Sequence, residues 1–426
     1  MSDKIAISNL THAGTSFFDQ PNVELETLPI GKGIPFGIKQ VINTDVRIGG
    51  VYGAWGESYD NDSLFYWIEN HIGRPLADDE KMKLETLGFI SRHHAPDLSS
   101  ANHLELELQV GERLLRQAAQ ANDWEPSEID GVLIGSTGPV SEDYLEQISD
   151  RAGIPQQAIK VSVHKACDSS MGALNLALNP YTYSDRQLGT NIAEQLAGKK
   201  VLVGGIEGLS RNLSISFDTN GLQLFGNGAG VIGVVPGETM HFLVGKDHEY
   251  YDEQGVLAVR MRYPYADQRE SGKPLVEVTK ISDSHVRVAG LMHAPEDGSP
   301  LSMAGPMGMV KLFVRTGVEV VKDVYQTYQA LMDKLNLPEK SIRVAIVHHA
   351  NYKINQLKAK HLQKAGINLR MPWLLSEFGN VSAASNMIAF LKQLPDLKPG
   401  DHILFDGFGA GTYYDVLAVS LVDDTI

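Results

Sequence analysis

Three residues in this 426-residue chain have the types that covalent acyl chemistry needs. Cys167, the single cysteine, follows an apolar stretch at 158–163 and precedes Asp168, Ser169, Ser170, Met171, Gly172, Ala173 and Leu174. The pattern predicts a strand running into a turn, with a buried helix beginning at Cys167. A thiol there faces unpaired backbone N–H groups and the positive end of the helix dipole. Both favour thiolate, lowering a pKa that starts near about 8.5, and thiolate is the nucleophile. Free cysteines are more often buried structural residues; the strand-to-helix turn is what makes this one a candidate. His348 and His349 end a second apolar stretch at 343–348, and Asn380 follows Gly379 at the mouth of a segment rich in small residues. Alone, each is ordinary: the chain has 14 histidines, and Asn is a common turn or N-cap residue.

These residues acquire weight from the elements around them. Residues 46–55 read as a buried strand, 104–124 as an amphipathic helix, 129–137 as a strand ending in small polar residues, and 200–205 as a short buried strand ending in glycine. The second half repeats that order: a helix at 316–335, a strand at 343–348, a small-residue helix opening after 378, and a strand at 402–407 followed by Phe408, Gly409, Ala410 and Gly411. Alternating strands and helices imply parallel sheets with helices on their faces, and a duplicated unit packs as two related halves. Ligands in such sheets bind beyond the carboxyl ends of the strands. Cys167, His348, Asn380 and Gly409 all fall just after predicted strands, so both halves converge on one crevice. The expected division is an irregular extension at 1–45, a first half at 46–240 carrying Cys167, and a second half at 241–426 carrying His348 and Asn380.

Composition narrows the class. A formal net charge of -15 argues against a broad grip on nucleic acid. With one cysteine no intrachain disulfide forms. The first residues lack the apolar core of a signal peptide, and no apolar run approaches a membrane span, so a soluble cytoplasmic protein is expected. The glycines at 407–411 and at 226–230 fit neither a dinucleotide fingerprint nor a phosphate loop. The pairs His93-His94 and His348-His349 diverge on a strand, and no metal-ligand spacing occurs.

The segments KACDSSMGAL, GGIEGLSR, LFGNGAGVIGV, VHHANYKI, FGNVSAAS and GFGAGTYY resemble, in order, the signature blocks of type III β-ketoacyl-acyl-carrier-protein synthases, over roughly residues 46–426. The resemblance implies an α/β thiolase fold in a layered αβαβα arrangement, a homodimer, and a triad that maps onto Cys167, His348 and Asn380. It implies an oxyanion hole from the backbone N–H groups of Cys167 and Ala410, beside Gly409. By the same match Arg211 contacts coenzyme A and Lys353 faces the carrier protein or the pantetheine phosphate. The substrates are coenzyme A or acyl-carrier-protein thioesters; no cofactor, metal, nucleic acid or membrane is implied. Residues 81–87 depart from the family in having neither Trp nor Arg, which weighs against coenzyme A as the donor, and extra length near 181–195 and 244–300 suggests a specialised substrate.

The expected reaction loads an acyl group onto Cys167 and then joins it to a malonyl or β-ketoacyl thioester by decarboxylative Claisen condensation. Alternatives with the same fold are acyl transfer to oxygen or nitrogen, and head-to-head condensation in which Glu142 of a partner deprotonates the acyl chain. A non-catalytic scaffold is the reading from another class, and retention of all three triad residues counts against it. Lys353, Lys360 and Lys364, spaced to share one helix face, form the expected docking patch for an acidic carrier.

Overall fold

The computed structural model describes residues 16–95, 97–138, 140–182, 187–249, 259–261, 276–290, 295, 298–303, 306–410 and 413–422. Gly411 of the glycine-rich turn and residues 1–15 of the N-terminal segment lie outside them.

The first half runs through β1 (Glu24–Leu28), β2 (Ile34–Asn43), β3 (Ile48–Trp55), β4 (Glu57–Asp60), α1 (Asn61–Ile72), β5 (Ser91–His94), α2 (Ser100–Gln120), β6 (Gly131–Gly135), α3 (Tyr144–Ala152), β7 (Ile159–His164), α4 (Ser169–Leu178), β8 (Val201–Glu207) and β9 (Gly228–Val234). The second continues with β10 (Met240–Glu249), β11 (Val259–Met261), β12 (Val276–Lys280), β13 (His285–Gly290), β14 (Leu301–Met303), the helix Pro306–Lys334, β15 (Ile342–Val347), the helices Tyr352–Lys364 and Ser385–Gln393, β16 (His402–Asp406) and β17 (Tyr413–Leu421).

The duplication is visible in the strand order. Within the larger sheet the central strands lie β3-β9-β8-β6-β7; the smaller sheet runs β10-β17-β16-β15. Numbered by appearance in each half, both read first, fifth, fourth, second. The third strand, β7, lies parallel beside β6. In the second half that place is held by the chain at Arg370, whose carbonyl accepts the Ala345 N–H of β15 at 2.9 Å. Directions agree as well: β8 and β16 each pair antiparallel with the fifth strand and parallel with the second.

Two helices fill the space between the sheets. α4 packs on β6, β7 and β8 on one side and on β17 and β10 on the other, while Ser385–Gln393 packs on β9, β3 and β15. All ten residues of α4 are buried, so a helix of small and aliphatic side chains is the form that fits between two sheets. α2 covers the outer face of the first sheet, and Pro306–Lys334 covers the second. This is the five-layered αβαβα arrangement of the thiolase fold.

Two expectations need correction. Residues 17–43 are ordered structure, not an irregular extension. β1 and β2 form a hairpin that extends the large sheet beyond β3. Their signal is weak because β1 is an edge strand, with Glu24, Leu25, Glu26 and Thr27 exposed, and β2 carries Pro35 near its start, which argues against a strand when read from sequence. The boundary at 240/241 is also crossed. β13, from the second half, pairs parallel with β7, and β12 follows it, so the chain around 276–290 belongs to the first half's sheet.

Candidate active site

Cys167 sits on an elbow between β7 and α4. Ala166 takes φ 51°, a left-handed conformation costly for a residue with a Cβ. The Ser169 hydroxyl braces it, accepting the Lys165 N–H at 2.8 Å and lying 2.6 Å from the Ala166 carbonyl. α4 therefore begins at Ser169 with Asp168 as its cap, two residues later than the sequence suggests. From residue 160 to 179 every side chain is buried except Cys167, which is partly open.

The glycine-rich turn reaches the same point from the second half. A Cβ on Gly409 would lie 2.5 Å from the Lys165 carbonyl oxygen and 3.1 Å from the Cys167 nitrogen, so only glycine lets the turn close on the elbow. Gly409 spends its own N–H on the Tyr413 carbonyl at 2.8 Å. Ala410, the next residue, is buried beside it and is the expected second oxyanion donor.

His348 follows β15 directly and is 1% exposed. Its ring stands edge-on to Phe408, centroids 5.0 Å apart, and its Nδ1 makes no hydrogen bond among the described residues. Burial, with positive charge from His349 and Lys358, pushes its pKa down to about 3. The imidazole is therefore neutral near neutrality. Lys358 is itself buried against Asp406, Nζ to Oδ1 2.7 Å. Asn380 is held by its own turn: its Oδ1 accepts the Ser382 N–H at 2.9 Å, and its Nδ2 donates to the Ala350 carbonyl at 3.3 Å. The amide carries two N–H bonds, of which Ala350 takes one. The N-terminal segment buttresses this turn, with Phe17 packed on Phe378 (centroids 4.9 Å apart) and Gln20 donating to Glu377 at 2.8 Å.

The electrostatics of Cys167 overturn one expectation. Burial pushes the thiol up to about 12; the Ser382 hydroxyl, 3.0 Å from Sγ, pulls against that, while Glu207 and Asp168 add to it. A helix terminus that starts past the cysteine does not outweigh desolvation and two nearby carboxyls. The resting nucleophile is a thiol.

Three further residues meet here that were not singled out from sequence. Ser382 contacts Cys167 Sγ on one side and the Thr137 hydroxyl on the other. Thr137 bonds in turn to Glu207, a carboxyl with no exposure that ends β8, through both its hydroxyl and its N–H, the latter at 2.8 Å. Burial pushes Glu207 up to about 7, against the pull of its hydrogen bonds and of Arg211. The available signal was a glutamate closing the otherwise apolar run Val201–Glu207.

The remaining expected residues scatter. Arg211 does not reach out to a phosphate. It is 13% exposed, its Nη1 lies 2.8 Å from Glu107, and its Nη2 donates to the Gly138 carbonyl at 2.9 Å. The guanidinium thus neutralises a buried carboxylate, which holds it in place. Lys353 is exposed on the first turn of Tyr352–Lys364, and Lys360 and Lys364 are exposed further along it. Glu142 is 58% exposed, with Arg287 at 3.5 Å. His93 and His94 are buried and diverge, one to Ser16 (3.2 Å) and the other to Ser210 (3.4 Å).

At the joint of the two halves the sole cysteine meets Ser382, two residues after Asn380, and the glycine-rich turn, whose Phe408 packs on His348; this is the arrangement expected of the thiolase fold. Residues 332–421, which include His348, Asn380 and Gly409, match the family profile described as 3-oxoacyl-[acyl-carrier-protein] synthase III, C terminal. Over 356 residues the chain is 26% identical to β-ketoacyl-[acyl-carrier-protein] synthase III of Clostridium tetani, covering 81% of this chain and 91% of that one. Among solved structures it is similar to 3-oxoacyl-(acyl carrier protein) synthase III of Pseudomonas aeruginosa, with TM-score 0.58, 18% identity, and 90% of this chain and 98% of that chain covered. It is also similar to the priming β-ketosynthase of the R1128 polyketide pathway, with TM-score 0.59, 20% identity, and 90% and 96% covered. The C-terminal part of the chain thus matches the type III synthase family profile, and the chain as a whole is similar to β-ketoacyl-[acyl-carrier-protein] synthase III enzymes. Among the described residues no helix is long and apolar enough to cross a membrane.

Proposed function

We propose that this chain takes an acyl group from a thioester onto Cys167 and condenses it with a malonyl or β-ketoacyl thioester. In the first stage Sγ attacks the thioester carbonyl, and the N–H groups of Cys167 and Ala410 receive the charge on oxygen; preorganised donors of this kind contribute about 3–4 kcal/mol each. In the second stage the neutral His348 N–H and the Asn380 amide hold the enolate formed as carbon dioxide leaves a malonyl thioester or a proton leaves a β-ketoacyl thioester, and the carbanion displaces Cys167 from the acyl carbon. The observation that carries this reading is the contact of Gly409 with the backbone at Cys167, which sets an acylatable thiol against the half that holds His348 and Asn380. The likeness to type III synthases supports the substrate class, acyl-carrier-protein or coenzyme A thioesters, and a reaction that needs no bound cofactor. With Arg211 committed to Glu107, a carrier-linked donor docked on Lys353, Lys360 and Lys364 is favoured.

The test is intact-protein mass spectrometry after incubation with a panel of acyl-coenzyme A and acyl-carrier thioesters. The wild type should gain one acyl mass, and Cys167→Ala none. Adding a malonyl-carrier thioester should discharge the acyl-enzyme with release of carbon dioxide. Equal labelling of Cys167→Ala would overturn the thioester mechanism, since no second thiol exists.

A further inference from the structure

A thiol held up to about 12 needs somewhere to put its proton, and the helix terminus does not supply it. The nucleophile instead touches a continuous line of hydroxyls. Cys167 Sγ is 3.0 Å from Ser382 Oγ; Ser382 Oγ is hydrogen-bonded to Thr137 Oγ1; Thr137 Oγ1 is hydrogen-bonded to Glu207 Oε2. Each hydroxyl is one donor and a two-lone-pair acceptor, so the line can be occupied in only two consistent ways. In one, Cys167 donates to Ser382, Ser382 to Thr137, and Thr137 to an ionised Glu207. In the other, a protonated Glu207 donates to Thr137, Thr137 to Ser382, and Ser382 to a Cys167 thiolate. The two differ by one proton shift along three hydrogen bonds.

We infer that Glu207 is the remote proton acceptor for Cys167, drawing the thiol proton through Ser382 and Thr137 as the acyl group is loaded. This rests on the reading of Cys167 as the nucleophile. Three features of the site fit a transfer path rather than simple packing. Glu207 Oε2 is fixed by the Thr137 and Ala383 N–H groups at 2.8 and 3.3 Å, so the acceptor does not wander. Glu207 Oε1 is buried with no hydrogen-bond partner among the described residues, leaving a carboxyl not fully committed to the ionised form. Ser382 is held at φ 41° with its N–H on Asn380 Oδ1, which aims its hydroxyl between Thr137 and the sulfur.

The charges around the line favour a single negative charge on it. Arg211 faces Glu207 and stabilises its anion; Glu107 in turn neutralises Arg211, and Tyr144 lies close to both. At the other end Asp168 and an ionised Glu207 both oppose a thiolate. Moving the proton from sulfur to Glu207 moves the charge without adding one, which removes the Glu207 part of that opposition. The step balances: Sγ gives up its proton to Glu207 and forms the new C–S bond, the thioester's own C–S bond breaks, and the departing pantetheine thiolate takes up a proton as the line resets.

The test uses the sole cysteine as its own reporter, in the full chain and without any acyl substrate, so it is independent of the condensation reading. Iodoacetamide alkylation of wild-type Cys167 should rise with pH through an inflection near about 7 and then level off. Glu207→Gln keeps an oxygen for the three donors but cannot take a proton. It should lose the inflection and react about a hundredfold more slowly near neutrality, the low end of what a positioned proton acceptor contributes. Thr137→Val, which breaks the line while leaving Glu207 in place, should do the same, and Thr137→Ser should restore the wild-type profile. If Glu207→Gln and Thr137→Val both retain the inflection, or if Thr137→Ser fails as Thr137→Val does, the relay is wrong.

Discussion

In the first half the second and third strands are followed by Thr137 and Cys167, and the fourth ends in Glu207. In the second half the same positions lead to His348, Asn380 and the turn at Gly409. One strand order thus presents two chemistries at the same ends. The first half offers groups that lose or take protons: a thiol, a hydroxyl and a carboxyl raised to about 7. The second offers chiefly groups that stay neutral: an imidazole held near 3, an amide and backbone N–H groups, with the Ser382 hydroxyl lent to the first half's line. The sheets differ in the same sense of division. The first is extended at both edges, by β1–β2 beyond β3 and by β13–β12 beyond β7, yet neither addition alters the strand ends that meet at the site. A duplicated scaffold can therefore grow at its edges and divide a two-stage reaction at its centre.

The largest effects should follow that division. Cys167→Ala should abolish acyl labelling altogether. His348→Ala and Asn380→Ala should slow discharge of the acyl-enzyme by malonyl thioester about 10²- to 10³-fold, since each removes a donor used only after charge develops, while acylation falls far less. Single-turnover mass spectrometry resolves the two stages. Equal losses in both would mean that the second half also positions or activates the thiol.

How much of this was legible in the sequence follows from the same division. The paired strands and central helices were readable because buried elements leave unbroken apolar or small-residue runs, as at Val201–Glu207 and Ser169–Leu178. The positions of Cys167 and His348 were readable because each closely follows a buried apolar run, and that of Asn380 because it opens a run of small residues. The hairpin β1–β2 was not, since an exposed edge strand such as Glu24–Leu28 has no apolar pattern. Neither was the commitment of Arg211, because its partner Glu107 lies on α2 more than a hundred residues away. The thiol's raised pKa was misjudged for a like reason: the Glu207 carboxyl that helps set it is adjacent only in space.

Among the described residues each half also supplies one buried lysine held in an ion pair, and these sharpen the comparison next. Lys358 pairs with Asp406 inside the second half, whereas Lys165 reaches from the first half to Asp415 in the second, with Asp168 at 3.9 Å. Breaking a buried pair by removing one partner costs about 3–5 kcal/mol because the other charge is left unpaired. Lys358→Met should lower stability by that amount, and adding Asp406→Asn should recover much of it. Lys165→Met should cost at least as much, since it strands two carboxyls. Denaturant titration of the variants checks this; a loss of under about 1 kcal/mol for Lys358→Met would show that water reaches Asp406.

The pH dependence of the two stages separates the halves in another way. Acylation should follow the titration near about 7 assigned to the Glu207 line. Discharge should not titrate there: with His348 held near 3, the imidazole stays neutral down to pH 5, and the rate per acyl-enzyme should stay within about twofold from pH 7 to 5. An unperturbed histidine, with pKa near about 6.5, would lose roughly thirtyfold over the same range. The same depression has a stability consequence. The folded pKa lies below the unfolded one, so the unfolded chain binds a proton that folded His348 refuses. Its contribution therefore weakens the fold as pH falls through about 6.5 towards 3. A discharge rate that drops with an apparent pKa near 6.5 would mean that the site is wetter than its 1% exposure at His348 implies.

The smallest effect should come from the surface, at the proposed carrier-docking face of the second half. The chain carries a net charge of -15, and acyl carrier proteins are acidic, so long-range fields repel the pair and docking depends on a local positive patch. On the helix Tyr352–Lys364, Lys353, Lys360 and Lys364 lie on one exposed face, while Lys358 turns inward to Asp406. Exposed ion pairs are worth about 0.2–1 kcal/mol. Lys353→Glu should therefore raise the KM for a carrier-linked substrate by about two- to fivefold and leave a short pantetheine mimic unaffected. Added salt should weaken the wild-type reaction with the carrier through screening and have less effect on the variant. Equal losses with carrier and mimic would place Lys353 at the mouth of the substrate channel instead. No loss with either would move the docking face off this helix, and the division between a proton-handling half and a donor-bearing half would then no longer extend to the partner.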